Sequence, residues 1–228
     1  MTEGRKSEVA LLVGAGDAIG TAVARRFAAG GYAVCVARRS AEKSQRLVQE
    51  IVSSGGVTRA VSTDVRDEEA VQALFAQVEA ELGPVEVCLF NAGANVKSPL
   101  IETSARIFFK AWELACYAGF LTGREAARYM VPRGRGTILF TGLRAVAQSM
   151  ARELARKNIH VAHLIIDGAI DSEAIHGRLS AATGAMPDLA PDSLIQTSSV
   201  AEAYWALHNQ SRDGWTHELD LRPYSERW

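Results

Sequence analysis

Glu8-Val-Ala-Leu-Leu-Val-Gly-Ala-Gly-Asp-Ala-Ile-Gly20 passes from an unbroken apolar run into glycines and then into a helical pattern over Ala18–Ala29. The run is too short for a helix and has no period-2 alternation, which suits a strand buried on both faces. Further segments of the same kind follow: Ala33–Ala37, Thr58–Ser62, Val85–Phe90, Thr137–Thr141, His160–Ile166 and Thr216–Leu221. Helical patterns lie between them at Ala41–Ser53, Glu68–Leu82, Ser104–Met130 and Arg144–Lys157, with less regular helix inside Ser172–His208. Strand and helix in strict alternation predict a doubly wound α/β fold, a parallel sheet of about seven strands with helices on both faces and right-handed crossovers.

Helix ends carry matching punctuation. Ser40 and Asp67 stand where they would cap the helices after them, and Gly30-Gly31, Gly55-Gly56 and Gly83-Pro84 stop helices before the next strand. With 228 residues, 48% hydrophobic and 22% charged, the chain fits one globular domain over 1–228. A net charge of −1 lacks the footprint of a nucleic-acid binder. No apolar run approaches the ~20 residues that span a bilayer, and Met1–Glu8 lacks the apolar middle of a secretory signal. Cys35, Cys88 and Cys116 are scattered in apolar segments, without disulfide or metal spacing, and read as reduced thiols of a cytoplasmic protein. The loosest composition is Ser180–Ser199, predicting a flexible substrate flap around 172–199. Ala111–Gly123 has one charge in thirteen residues. A helix apolar all round must be covered all round, so a second helix or a second subunit is expected on its outer face.

The glycine turn works through its backbone. Gly14 permits a sharp exit from the strand, Gly20 permits close helix packing, and the free N–H groups at the helix start favour a pyrophosphate. Alone the spacing fits an ordinary βα turn; after the first buried strand of an α/β chain it favours a nucleotide. The second strand ends Cys35-Val-Ala-Arg-Arg39, where a site for the unphosphorylated cofactor would place an acid on the ribose hydroxyls. Arg38 and Arg39 are either solvated surface charges or partners for a phosphate, with which guanidinium forms bidentate, charge-assisted bonds. The second reading makes the cofactor NADP(H) rather than NAD(H). Asp64-Val65 and Asn91-Ala92-Gly93 end the third and fourth strands, on the edge where such sheets bind ligands. Either could be a plain turn; with the glycine turn they make a site. His160 and His163 fall near or within strand six, and His176 reads as a surface helix residue.

In these motifs the chain resembles the short-chain dehydrogenase/reductase family along nearly its whole length. Gly14-Ala-Gly-Asp-Ala-Ile-Gly20 is similar to the family's glycine motif, with Ala18 for its middle glycine and Val13 for its threonine. Asp64 matches its adenine-contacting aspartate and Asn91-Ala92-Gly93 its strand-four motif. Ile166-Asp-Gly-Ala-Ile-Asp-Ser172 resembles the segment that touches nicotinamide, with Asp167 for a proline, and Trp215–Arg222 resembles the final strand. The resemblance implies a cofactor set of Gly14, Asp17, Ala18, Ile19, Gly20, Arg38, Arg39, Asp64, Val65, Asn91, Ala92, Gly93, Gly168 and Ile170. It also implies strand order 3-2-1-4-5-6-7 and a homodimer or homotetramer. The expected activity is NADP(H)-dependent oxidation or reduction of a carbonyl or alcohol held between Asn91–Ser98, the end of strand five and the 172–199 flap.

The family's Tyr-x-x-x-Lys pair and preceding Ser are missing. None of Tyr32, Tyr117, Tyr129, Tyr204 and Tyr224 has Lys four residues on, and Ala115 stands near the family's helix asparagine. Where relatives hold about twenty more residues, Gly142 is followed at once by Leu143. Either the segment is absent, leaving a non-catalytic NADP(H)-binding sensor or scaffold protein as the alternative function, or a mobile loop has been omitted between these residues. Ordinary βα connections of about 2–6 residues favour the omission. It predicts Gly142 and Leu143 Cα atoms well beyond the ~3.8 Å of bonded neighbours.

Overall fold

The computed structural model describes residues 7–93, 99–185 and 187–226. Its centre is a seven-stranded parallel sheet in the order β3-β2-β1-β4-β5-β6-β7. The strands are β1 (Val9–Val13), β2 (Ala33–Arg38), β3 (Thr58–Ser62), β4 (Val85–Phe90), β5 (Gly136–Thr141), β6 (Ile159–Ile166) and β7 (Glu218–Leu221). β1 is apolar throughout, as are β2 up to its terminal Arg38 and β4 apart from Glu86, because helices cover both of their faces. Val9, Leu11 and Val13 point to one side, Ala10 and Leu12 to the other, and all are buried.

On the first side lie α3 (Glu68–Glu81), α5 (Ala118–Arg133) and α6 (Arg144–Leu154), with Phe75, Leu121, Met130 and Ala147 turned inward. On the second lie α1 (Ile19–Ala29), α2 (Gln45–Ser53) and α8 (Thr197–His208), through Phe27, Ile51, Tyr204 and Leu207. Burial of side chains of this size contributes roughly 1.5–3 kcal/mol each. α1 and α8 also interlock, with Phe27 edge-on to Trp205 at 5.3 Å and the Arg26 guanidinium 4.0 Å above the Trp205 ring. Among the described residues no helix is long and apolar enough to cross a membrane.

Asp67 caps α3, accepting from the N–H groups of Glu69 and Ala70. Ser40 makes no such bond, because the chain enters α2 through a 3-10 turn at Ala41–Ser44; the Ala41 N–H instead donates to Ser62 Oγ on β3 at 3.2 Å. The helix expected over Ser104–Met130 is broken into α4 (Ala105–Trp112), a π-helical turn at Glu113–Tyr117, and α5. No glycine or proline marks that break. The 172–199 segment contains α7 (Glu173–Thr183), capped by Ser172, and is tied to the end of β6 by a bridge between Ile170 and Ile195.

The expected gap between Gly142 and Leu143 is absent. The backbone is continuous, and these two residues alone join β5 to α6. Both are left-handed, with φ of 73° at Gly142 and 62° at Leu143, which reverses the chain in two residues. The Gly142 N–H still donates to Leu164 O at 2.9 Å, so pairing with β6 continues to the turn itself. A two-residue connection is at the short end of the ordinary range, and the left-handed pair is what lets it close.

Burial disfavours the charged form of three histidines in this scaffold. His208 lies between the Tyr32 hydroxyl at 2.6 Å and Thr137 Oγ1 at 2.9 Å, and burial pulls its pKa down to about 4. Burial also lowers His160, beside Thr216 O, and His163, beside Glu218. Unfolded, each titrates near ~6.5. Below that pH the unfolded chain binds more protons than the folded one, so stability falls as pH drops. The slope is up to about 1.4 kcal/mol per pH unit for each histidine. Urea unfolding at pH 7, 6 and 5 is expected to show a falling midpoint, partly relieved in His208→Gln; a midpoint flat over that range contradicts the assignment.

Candidate functional site

The carboxyl edge of the sheet brings together three of the sequence motifs. Gly14 leaves β1 at φ 75°, and a Cβ there would lie 2.5 Å from Ala92 Cβ, so only glycine lets the tips of β1 and β4 approach this closely. The approach is clamped from both sides: the Gly14 N–H donates to Ala37 O at 2.9 Å and the Asn91 N–H to Val13 O at 2.8 Å. A Cβ on Gly20 would lie 2.6 Å from Ala15 Cα, which sets α1 against its own approach loop. Ala18, at the family's middle glycine, has φ −90° and needs no glycine. It opens α1 without a side-chain cap, and the first turn carries no acid. The N–H groups of this helix end are therefore available to an anion. Ile19 packs beneath them against the second-side core.

At the tip of β2 the Arg38 guanidinium crosses back to the glycine turn and meets Asp17 Oδ1 at 2.6 Å. Arg38 is 17% exposed along its side chain and Asp17 78%, so the pair lies at the mouth with the acid outermost. Arg39 is exposed beside it. Asp64, after β3, accepts from Arg66 Nε at 2.9 Å, Nη2 at 2.5 Å and backbone N at 3.1 Å. Those hydrogen bonds, with the charge of Arg39 adding a smaller pull, hold its carboxyl down at about 2. Val65 is buried, which leaves its backbone as the part facing the edge.

Asn91 and Ala92 are half-buried and Gly93 is exposed at the end of β4. Positions 94–98, expected on one side of a substrate pocket, lie outside the described residues. At the end of β6, Gly168 has φ 154° and a Cβ there would strike Pro223 at 2.5 Å. Asp167, at the family's proline, uses the N–H that proline lacks, donating to Leu221 O at 3.0 Å. Ile170 holds the bridge to Ile195. His176 pairs with Asp171 at 2.8 Å, an ordinary surface contact.

Two polar residues at this edge had no signal in the sequence. Thr141 ends β5, and its hydroxyl lies 2.6 Å from Asn91 Oδ1 and 2.7 Å from the Tyr204 hydroxyl on α8. Burial drives Tyr204 far above the usual phenol range. In sequence Tyr204 is only one member of an apolar stripe, Val200, Ala201, Tyr204 and Leu207. Among the described residues no three His, Cys, Asp or Glu side chains are grouped to hold a metal ion.

Comparison with known proteins agrees with this geometry. A sequence model described as short chain dehydrogenase matches residues 8–145. A solved short-chain dehydrogenase from Rhodopseudomonas palustris is 43% identical, covers 97% of this chain and 100% of its own, and superposes with a TM-score of 0.80. The cis-4-hydroxycyclohexanecarboxylate dehydrogenase of Sinomonas cyclohexanicum is 32% identical over 79% of this chain and 74% of its own length. An uncharacterized oxidoreductase of Bacillus subtilis is 29% identical over 87% of this chain, which spans only 28% of that longer protein. With a matching family model over most of its length and a seven-stranded sheet in the expected order, the chain belongs to the short-chain dehydrogenase family of oxidoreductases.

Proposed function

We propose that the chain binds NADP(H) along the carboxyl edge of its sheet and serves as an oxidoreductase for a small carbonyl or alcohol substrate. The observation that carries the cofactor reading is the tip of β2. It presents Arg38 and Arg39 and no acid of its own, directly across from an uncapped α1 with no acid in its first turn. A dinucleotide fits these residues: the pyrophosphate against the N–H groups of Ala18–Gly20, where Gly14 and Gly20 leave no room for Cβ atoms, and the adenosine end between Arg38, Arg39 and Asp64-Val65. The nicotinamide half then lies over Asn91-Ala92-Gly93 and toward Gly168 and Ile170. When bound, the cofactor supplies the hydride chemistry. The chain supplies binding and orientation, and the polar groups it offers at the tips of β4 and β5 include the Asn91 amide and the Thr141 hydroxyl.

Asp17 tempers the preference for phosphate. Its carboxylate occupies one face of Arg38, the group a 2′-phosphate needs, and repels that phosphate directly. Asp17→Asn is expected to tighten NADPH by about three- to tenfold while leaving NADH nearly unchanged, from one charge interaction in a partly screened setting. Arg38→Ser with Arg39→Ser is expected to abolish the preference for NADPH. Fluorescence titration of both cofactors measures this; equal affinities for NADPH and NADH in the wild type would sink the reading. Turnover across a panel of ketones, aldehydes and alcohols tests the activity, and tight NADPH binding without any turnover transfers the function to a sensor or scaffold.

The outer face of α4 supports a homo-oligomer. No residue of α4 is buried, and Phe108 and Phe109 are 63% and 56% exposed beside Ile107 and Trp112. A contiguous apolar face of this kind marks an interaction surface, here read as contact with a second copy in a dimer or tetramer. Phe108→Glu with Phe109→Glu is expected to convert the assembly to a 24.6 kDa monomer in sedimentation analysis. A wild type that sediments as a monomer rejects the reading.

A further inference from the structure

Tyr204, Thr141 and Asn91 form a chain of hydroxyl and amide groups that crosses from α8 through the tip of β5 to the tip of β4. The direction of its hydrogen bonds follows from which groups can donate. If Asn91 Oδ1 faces Thr141, it can only accept, so the Thr141 hydroxyl spends its single proton there. Thr141 Oγ1 is then free to accept, and the Tyr204 O–H donates to it. The reverse arrangement turns the Asn91 amide nitrogen toward Thr141, whose hydroxyl then either accepts from Tyr204 as well, leaving its own proton without a partner among the described residues, or donates to Tyr204. Donation to Tyr204 would leave the Tyr204 O–H, on a fully buried residue, with no acceptor among the described residues. Satisfying both hydroxyl protons therefore points the amide oxygen, two hydrogen bonds from the phenol, toward Thr141.

The Asn91 side chain is consequently fixed with its oxygen inward and both amide N–H bonds outward, while its main-chain N–H is held by Val13 O. Neither outward N–H has a partner among the described residues. Asn91 directly follows β4, the strand beside β1 on the side away from the Arg38 tip. The adenosine half of a ligand lying across the glycine turn would occupy β2 and β3; its other half would lie over β4 and β5.

We propose that Tyr204 and Thr141 are positioning residues that hold the Asn91 amide as a preset donor to an acceptor oxygen on the nicotinamide half of the bound dinucleotide. This assignment rests on the cofactor reading above, and its test separates the two. The probes are NADPH, which spans both halves, and 2′,5′-ADP, which carries only the adenosine half. Tyr204→Phe and Thr141→Val keep volume and remove a hydroxyl; Thr141→Ser keeps it.

Tyr204→Phe and Thr141→Val are each expected to weaken NADPH by about three- to tenfold, the worth of one neutral hydrogen bond. The double variant should be no weaker than Thr141→Val alone, because the links act in series. Thr141→Ser should bind like the wild type, and 2′,5′-ADP should bind all variants equally. A chain that merely ties α8 to the sheet would lower the melting temperature without distinguishing the probes. Equal losses for the two probes, additive losses in the double variant, or failure of Thr141→Ser to restore binding would each overturn the proposal. Normal binding of NADPH by every variant removes this assignment alone; binding of neither probe by the wild type removes the cofactor reading as well.

Discussion

The site depends on one contact between backbones. At the end of β1, Gly14 stands so near Ala92 that a Cβ would lie 2.5 Å from the alanine methyl. A βα unit leaving β1 and another leaving β4 must diverge to opposite faces of the sheet, and the crevice between them is where ligands enter such folds. Its width is set by how closely the two tips meet. Hydrogen bonds from Gly14 to β2 and from Asn91 to β1 hold that spacing from either side. α1 is thereby aimed along the crevice, Arg38 is brought within reach of Asp17, and the Asn91 side chain is turned toward β5. A side chain at position 14 would disturb all three at once.

The turn from β5 to α6 shows the opposite economy. Leu143 has a conformation that costs a branched side chain about 1–2 kcal/mol. Its side chain compensates by filling the notch at Gly119, where a Cβ would lie 2.5 Å from Leu143 Cδ2. Where the family resemblance implies an acid/base segment, this chain has packing instead. α6 begins one residue later, with Ala147 and Leu154 buried against the sheet. The chain keeps the strand, the helix and the pairing of Gly142 with Leu164, and loses only the protrusion between them. Polar chemistry at this edge consequently falls to groups contributed by strand ends and by α8.

The sequence was informative where burial on two faces forces a residue type. Val9–Val13 and Val85–Phe90 emerge with the bounds expected of them, since both strands are buried along their whole length; Thr58–Ser62 keeps its bounds as well, although at the sheet edge none of its residues is buried. Asp67 was readable as a cap because it stands directly before the helical pattern, where a short acid can accept from the N–H groups left free in the first turn. Ser40 was not, since the first turn after it tightens to a 3-10 form and its neighbour finds Ser62 across the sheet. The π-helical turn at Glu113–Tyr117 inserts its extra residue without any breaker to announce it. The junction at Gly142-Leu143 was misread because a left-handed leucine is rare, and its support comes from Gly119, distant in sequence. The Asp17–Arg38 pair and the Tyr204–Thr141–Asn91 chain have the same origin: each joins residues on separate βα units, so neither exists until strand order and register are set.

The two ends of the crevice consequently obey different electrostatics. At the end formed by the tips of β2 and β3, Asp17 and Arg39 are exposed and Asp64 and Arg66 are partly so. Coulomb attraction there is shared with water and salt, which fades it over about 10 Å at moderate ionic strength. Discrimination between phosphorylated and unphosphorylated cofactors is set by such terms, and a single charge can shift it without disturbing the core. In the chain at the tips of β4 and β5 the groups are neutral, and the last of them, Tyr204, is out of contact with solvent. A hydrogen-bond chain in that setting is insensitive to salt, but it tolerates no missing member, since each loss leaves a buried polar group unpaired. Under the proposed cofactor reading, preference between NADPH and NADH therefore rests on surface charges, whereas orientation of the reacting half is tied to the packing of α8 against the sheet.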